Sequence, residues 1–330
     1  MIGNKFAARL NSFTSKPELF WPNKTDFNAI DLINRAATVK CLTDIDLNYP
    51  DHIEENFKDT ISCAIDNGLH INGFAMRYYN NPQFKLGAFT NPDIKIRQEA
   101  IDLTKRGIDS ARKAKCNLMT LWLGQDGFDY SFQADYKDIW QKEIEGIREV
   151  ASHDPECNIS IEYKPNEPRA YSLLSNLPST LLAISQVGLP NLGVTLDFAH
   201  LLYANEQPGF AAAMVSNTSK LLGLHLNDAY AKRDDGLMVA SVHYQATAEL
   251  LYQVCKDGYD GVIYFDTFPN ITNLDPVIEC ETNIKIVKQI LKVVKRLQSD
   301  NKLAESMEKQ DSITAQQIFN NALNGLNIDR

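Results

Sequence analysis

No stretch of this sequence approaches about 18 uncharged apolar residues, the length a membrane-spanning helix needs. The start, Met1 to Phe6, lacks the long apolar core and small-residue cleavage site of a signal peptide. Cysteine is sparse: six thiols stand at 41, 63, 116, 157, 255 and 280, with no CxxC pair among them. That excludes a thiolate zinc cage and reads as free, buried thiols in a reducing, cytoplasmic setting. Positive charge is also short, since 33 Lys and Arg face 42 Asp and Glu, for a net charge of −9. A duplex nucleic-acid binder needs the opposite balance. No G-x-G-x-x-G follows a predicted strand, and no internal repeat or low-complexity segment stands out.

What is present is an ordinary globular composition, 44% hydrophobic and 23% charged over 330 residues. The most informative run is Ile161 to Arg169, which places Glu162 and Lys164 at the end of the short apolar stretch Asn158–Ile161 and then stops with two prolines. Residues i and i+2 of a strand point the same way, so a carboxylate and an ammonium face one site together. Three more apolar runs end in ligand-type residues: Gly193–His200, Leu221–Asp228 and Gly261–Asp266.

Strand-like and helix-like segments alternate along the chain. Strands are predicted at Phe6–Phe13, Leu42–Tyr49, His70–Arg77, Asn117–Leu123, 158–164, 192–198, 221–227 and 261–266. Helices are predicted near 53–67, at 92–114 with Asn91 as cap and Pro92 in the first turn, and near 134–152. The strands with their intervening helices predict a (β/α)8 TIM barrel spanning 1–297, because ligand-type residues at successive C-terminal strand ends belong to a barrel mouth. A doubly wound sheet is the alternative. A C-terminal helical extension covers 298–330, with a long helix at Pro276–Leu297 before it and a last helical stretch near 303–324. That arm would pack on a neighbouring subunit or on its own barrel.

Glu162, Asp197, His225 and Asp266 each end a predicted strand, and four such donors at one mouth would be costly to crowd together without a divalent cation. Mn²⁺, Co²⁺, Mg²⁺ and Zn²⁺ all suit this donor set. His200, three residues after Asp197, and Asp234 provide for a second ion that Asp197 would bridge. Taken singly, a strand-end Asp is a helix cap or ion-pair partner, and Asp234-Asp235 is a solvated turn. Trp122 either fills the upper core or offers an apolar face to a sugar. His52, His153 and His243 read as packing or surface histidines, and His70 as lying at the opposite end of the barrel from the mouth.

At these residues the chain resembles the metal-dependent aldose–ketose isomerases of the xylose isomerase-like barrel superfamily. Glu162 to Arg169, EYKPNEPR, is similar to the EPKPNEPR signature of xylose isomerases, and Lys85 onward, KLGAFTNPDIKIRQEAID, is similar to rhamnose isomerase-type sequence. The likeness runs over roughly 70–300 and is weakest before residue 70. It implies metal ligation by Glu162, Asp197, His225 and Asp266 and a second ion on His200 and Asp234. It places Lys164 at the reacting oxygens and Trp122 as a wall of the substrate site. Two departures stand out. Gly236 takes the place of the second aspartate of D-x-D, which leaves a weaker second site or one rebuilt on Asp235. No early histidine marks the ring-opening step, so Asp46 or a bound water would substitute.

The resemblance implies a free monosaccharide rearranged by a metal-assisted hydride shift between C1 and C2, with one or two ions per subunit, Mn²⁺ foremost. Lys164, Asp266 and Asp234 are the expected catalytic groups; Trp122, Glu162, His200 and Lys164 would contact the sugar. A homo-oligomer, dimer or tetramer, is expected, with no nucleic-acid or membrane partner. The rivals are a ketose 3-epimerase of the same superfamily, an endonuclease IV-like phosphodiesterase, and a non-catalytic sugar-binding barrel.

Overall fold

The computed structural model describes residues 2–325. Ten strands are β1 Phe6–Arg9, β2 Asp44–Tyr49, β3 His70–Met76, β4 Leu118–Leu121, β5 Gly127–Phe128, β6 Asn158–Glu162, β7 Tyr171–Ser172, β8 Leu192–Asp197, β9 Leu221–Leu226 and β10 Ile263–Phe265. All but β5 and β7 close into one parallel barrel in the order β1-β10-β9-β8-β6-β4-β3-β2. The predicted barrel is therefore the fold, and β5 and β7 form a small antiparallel pair.

The strands are nearly continuous runs of buried residues, as expected when helices cover one face and barrel packing fills the other. Side chains of alternate strands fill the interior in layers. Ser160 Oγ and Thr195 Oγ1 meet there at 2.5 Å, so the polar layer below the mouth is hydrogen-bonded. Gly223 leaves room for that layer, since a Cβ on it would stand 2.4 Å from Thr195 Oγ1. Outside this layer, Phe265 stacks on Phe6 with ring centres 5.8 Å apart.

Several predicted boundaries are corrected. The first strand stops at Arg9, and Leu10–Thr14 turns into a 3-10 helix. Its carbonyls are claimed by a side chain: the buried Arg35 guanidinium donates to the oxygens of Phe13 and Ser15 at 2.8 and 2.6 Å. The helix placed at 92–114 runs over Ile94–Lys113 and is capped by Asp93, which accepts from Lys95 N at 2.8 Å. Asn91 instead accepts from Asp93 N at 3.0 Å, two residues too early to cap. The helix placed at 53–67 is Phe57–Asp66, and that near 134–152 is Tyr136–His153.

The last helical stretch is two helices, Asn301–Glu308 and Ser312–Asn324. They break at Gln310, whose φ is +54°, and Asp311 caps the second. Both pack on Pro276–Gln298 of the same chain through Val293, Leu297, Leu303, Ile318 and Ala322. Leu303, Ile318 and Ala322 of the arm are thus used within the chain, while Met307, Ile313 and Leu323 stay exposed. Residues 326–330 of the expected extension lie outside the described residues. Among the described residues, no helix is long and apolar enough to cross a membrane.

Candidate metal centre

Parallel register carries the ligand-type residues to one level. Asp197 pairs directly with His225, and Glu162 pairs with Thr195, two residues before Asp197 on the same face. Asp266 follows β10 immediately. One ligand atom from each of Glu162, Asp197, His225 and Asp266 lies within 4.8 Å of all the others. An ion about 2.0–2.3 Å from every donor spans donor pairs of roughly 3–4.5 Å, so the spacing fits a single cation. His225 Nδ1, buried and without a hydrogen-bond partner, lies 3.3 Å from Glu162 Oε1, and a cation between them would satisfy both.

The electrostatics point the same way. Burial raises Asp197 to about 7, with the carboxylates of Asp234, Asp266 and Glu162 adding to the rise and His200 opposing it. Burial also raises Asp266, against the pull of Arg9, whose Nε stands 3.5 Å away. Burial alone would raise Glu162 as well, but His225 and His200 outweigh it and hold it at about 2. Both rings are driven up to about 9, because their carboxylate neighbours overcome burial. Carboxylates crowded to the point of keeping protons are a site in want of positive charge.

The remaining expected residues gather beside this shell. His200 Nε2 is 3.3 Å from Asp234 Oδ2, and Lys164 Nζ reaches the same oxygen at 3.1 Å. Lys164 also pairs with Glu167 at 2.9 Å and lies 5.5 Å from the Trp122 ring centre. Asp235 is engaged within its own loop. Its oxygens are held by Tyr230 N at 2.8 Å and Arg233 Nε at 2.7 Å. There is no space for a side chain at Gly236, where φ is +57° and a Cβ would lie 2.3 Å from the Phe268 ring.

Trp122 lines the pocket, a cavity of about 290 Å³ that holds Glu162, Lys164, His200, His225, Asp234 and Asp266. That is the lower end of small-ligand sites. Asp46 lines it too, raised to about 6 chiefly by burial although Asn72 donates to it at 2.8 Å. His52, His153 and His243 lie outside the lining, and His70 is exposed at the start of β3.

The sequence reading missed Arg9, Arg77, Tyr79, Tyr264 and Phe268 as lining residues, and it missed Asn227. Asn227 donates to both Asp197 oxygens at 3.2 and 3.1 Å and to the Asp266 carbonyl at 3.1 Å, and it accepts from Ala199 N at 2.8 Å. Its position two residues after His225 was the available signal, because that spacing returns a side chain to the same face of an extended segment.

A family model described as xylose isomerase-like TIM barrel matches residues 24–297. A xylose isomerase of Thermus thermophilus is 26% identical over 222 residues, covering 66% of this chain and 57% of that enzyme. The match thus spans little more than half the length of such curated relatives. Among solved structures, an L-ribulose 3-epimerase superposes with TM-score 0.67 at 14% identity, covering 90% of this chain and 98% of the other. A D-tagatose 3-epimerase-like protein gives TM-score 0.66 at 16% identity, covering 88% and 97%. At these identities the structural likeness concerns the fold.

Proposed function

The chain belongs to the xylose isomerase-like TIM barrel family, and on that premise we propose that it rearranges a free monosaccharide at the carbonyl end of the sugar. The observation that carries the proposal is the buried shell of Glu162, Asp197, His225 and Asp266 with Lys164 in the same small pocket. These four residues would hold one divalent cation, Mn²⁺ by preference over Co²⁺, Mg²⁺ or Zn²⁺. When bound there, such a cation would supply Lewis-acid polarisation of the sugar oxygens.

The chain's own groups do the rest. Lys164, kept charged by Asp234 and Glu167, donates to the substrate oxygen on which negative charge grows. Asp234 fixes Lys164 and His200 through one oxygen, and their positive charge holds it ionised well below the ordinary carboxylate range despite its burial; its other oxygen, buried without a partner, is placed to accept a hydrogen bond from a sugar hydroxyl. Asp266 is the carboxylate at which a second hydroxyl is held, with Arg9 steadying it. Trp122 covers the C–H face of the sugar and excludes water. Glu162 and His200 complete the polar contacts around the sugar.

Two reactions use such machinery. Aldose–ketose interconversion is supported by Lys164 in its EYKPNEPR setting and by the sequence likeness to xylose isomerases. Epimerisation at C3 is supported by the site itself, which has one complete shell and, at Gly236, no donor for a second ion. The solved structures that superpose include 3-epimerases, in keeping with this reading. The conclusion common to both is metal-centred isomerisation of a monosaccharide.

The test is a screen on metal-stripped protein reloaded with Mn²⁺ or Co²⁺, each aldose and ketose being supplied in deuterated water and the products read by NMR. Aldose–ketose conversion with little solvent deuterium supports the C1–C2 hydride shift. Inversion at C3 with deuterium incorporated there supports the epimerase. Sugar binding without turnover under either metal would sink both and leave a sugar-sensing barrel.

A further inference from the structure

A second cavity, of about 590 Å³, opens beside the reaction pocket, and Arg9 is the one described residue that lines both. Its walls come from the segments that follow β1, β2 and β10, so it belongs to the same mouth. Arg9 stands at the junction. Its Nε pairs with Asp266 at 3.5 Å and its guanidinium lies 4.9 Å from the Phe268 ring centre. Among the described residues its terminal nitrogens find no hydrogen-bond acceptor, which leaves donors at the passage between the two spaces.

The lining of the side chamber narrows what it can hold. Asn11, Asn56 and Asn270 offer amides, Asp51 and Glu55 offer acceptors, and Phe27 gives an aromatic wall. His52 adds no charge. Asn48 N donates to its Nδ1 at 3.0 Å, so the proton sits on Nε2 and is donated to Asn11 Oδ1 at 2.8 Å. Burial, helped by Arg77 and Arg9, pushes that ring down to about 3, which keeps it neutral. Among the described residues Arg9 is then the only cation lining the chamber, and it is already matched by Asp266, while Asp51 and Glu55 face in unopposed by any other positive side chain of that lining. A phosphorylated or acidic sugar would be repelled there. Amides and carboxylates around one aromatic face are instead the donors, acceptors and apolar surface that a neutral sugar ring presents in complement.

Resting on the monosaccharide reading of the metal pocket, we propose that the side chamber is a subsite for a second, uncharged glycosyl unit. The protein would then accept, besides a free monosaccharide, a short reducing oligosaccharide whose reducing end reacts at the metal centre. Size agrees, because a unit that fits in about 290 Å³ leaves ample room for its neighbour in about 590 Å³. Arg9 spans the linkage and donates to its oxygens.

The experiment is calorimetric titration of the Mn²⁺-loaded protein with glucose against maltose, cellobiose and isomaltose, and with xylose against xylobiose, repeated on Asn270→Trp and Asn56→Trp. Both substitutions fill the chamber from exposed positions outside the metal pocket. At least one disaccharide is expected to bind about tenfold or more tightly than its monosaccharide, equivalent to about 1.4 kcal/mol. That advantage should vanish in both variants while monosaccharide affinity holds. Disaccharides that bind no better, or an advantage that survives both tryptophans, overturn the subsite. Binding of no sugar in the panel overturns it as well. Turnover of a monosaccharide in the deuterium screen would in either case leave the proposed chemistry standing.

Discussion

Lys164 is buried among carboxylates, and the charge that makes it useful is the charge its neighbours hold in place. Asp234 and Glu167 outweigh burial and raise its pKa, so the ammonium persists across the working range of any sugar isomerase. Lys164→Met keeps the length and the apolar stem and removes the donor. We expect kcat to fall by roughly 100-fold or more, the usual scale for deleting a donor to a developing oxyanion, with metal content unchanged. A variant that keeps its kcat while losing only affinity would reassign Lys164 to uniform sugar binding. Asn227 works one step further back, holding both Asp197 oxygens and the end of β10. Asn227→Ala should lower metal affinity by about 10–100-fold in a chelator competition, the scale found for groups that orient ligands, and should also lower the melting temperature, since the buried groups it leaves unpaired cost about 1–3 kcal/mol; a fall in melting temperature with metal affinity intact would make the role purely structural. Glu162, Asp197, His225 and Asp266 were legible in the sequence because each ends an apolar run, and a strand end is a place in space. Arg9 and Tyr264 were not, since an arginine or tyrosine near a strand end carries no mark of which neighbour it will meet.

At the scale of elements, strands were read better than their ends. An apolar run identifies a barrel strand, but where it stops depends on who satisfies the next carbonyl, and for Phe13 and Ser15 that is Arg35 from a later helix. The loop after β9 bears on the metal count. Gly236 adopts a left-handed φ against Phe268, and Asp235 is turned to Tyr230 and Arg233, so neither adds a donor beside His200 and Asp234, and Asp234 Oδ2 is shared by His200 and Lys164. Elemental analysis of Mn²⁺-loaded, desalted protein should give one ion per chain; two would restore the dinuclear site. The helix Tyr136–His153 carries a different oddity in Glu143, fully buried with both carboxylate oxygens lacking a partner. Burial, with Asp126 adding, pushes it well above the ordinary glutamate value. The folded chain therefore keeps a proton that the unfolded chain releases once pH passes the usual glutamate range near 4.5. The folded state binds more protons, so this residue's contribution to stability falls as pH rises. Glu143→Met should raise the melting temperature more at pH 8 than at pH 5, and an equal shift at both would remove titration from the explanation.

For the whole molecule, the open question is whether residues after 298 are a separate unit or part of the barrel's cooperative fold. The sequence showed helical periodicity there but not its partner, because an amphipathic arm looks the same whether it packs on its own chain or on another. In the structure its apolar side joins Val293 and Leu297 of the helix that itself closes over the barrel, and Tyr252 of Tyr244–Lys256 contributes from the barrel's own shell. A cluster shared in this way transmits strain to the barrel, so the two parts should melt together. Ile318, 3% exposed, is its deepest residue in the last helix. Truncating a buried isoleucine to alanine costs about 2–5 kcal/mol through lost burial and the cavity left behind. At the edge of the molecule, where the helix is able to settle inward, roughly 2 kcal/mol is the better expectation. Ile318→Ala should therefore lower a single, still cooperative melting transition and leave kcat on the identified sugar unchanged, because none of the residues clustered around Ile318 lines the metal pocket. A first transition that splits from an unshifted second one would show that 298–325 folds apart from the barrel. No shift at all would mean that the helix is not docked in solution.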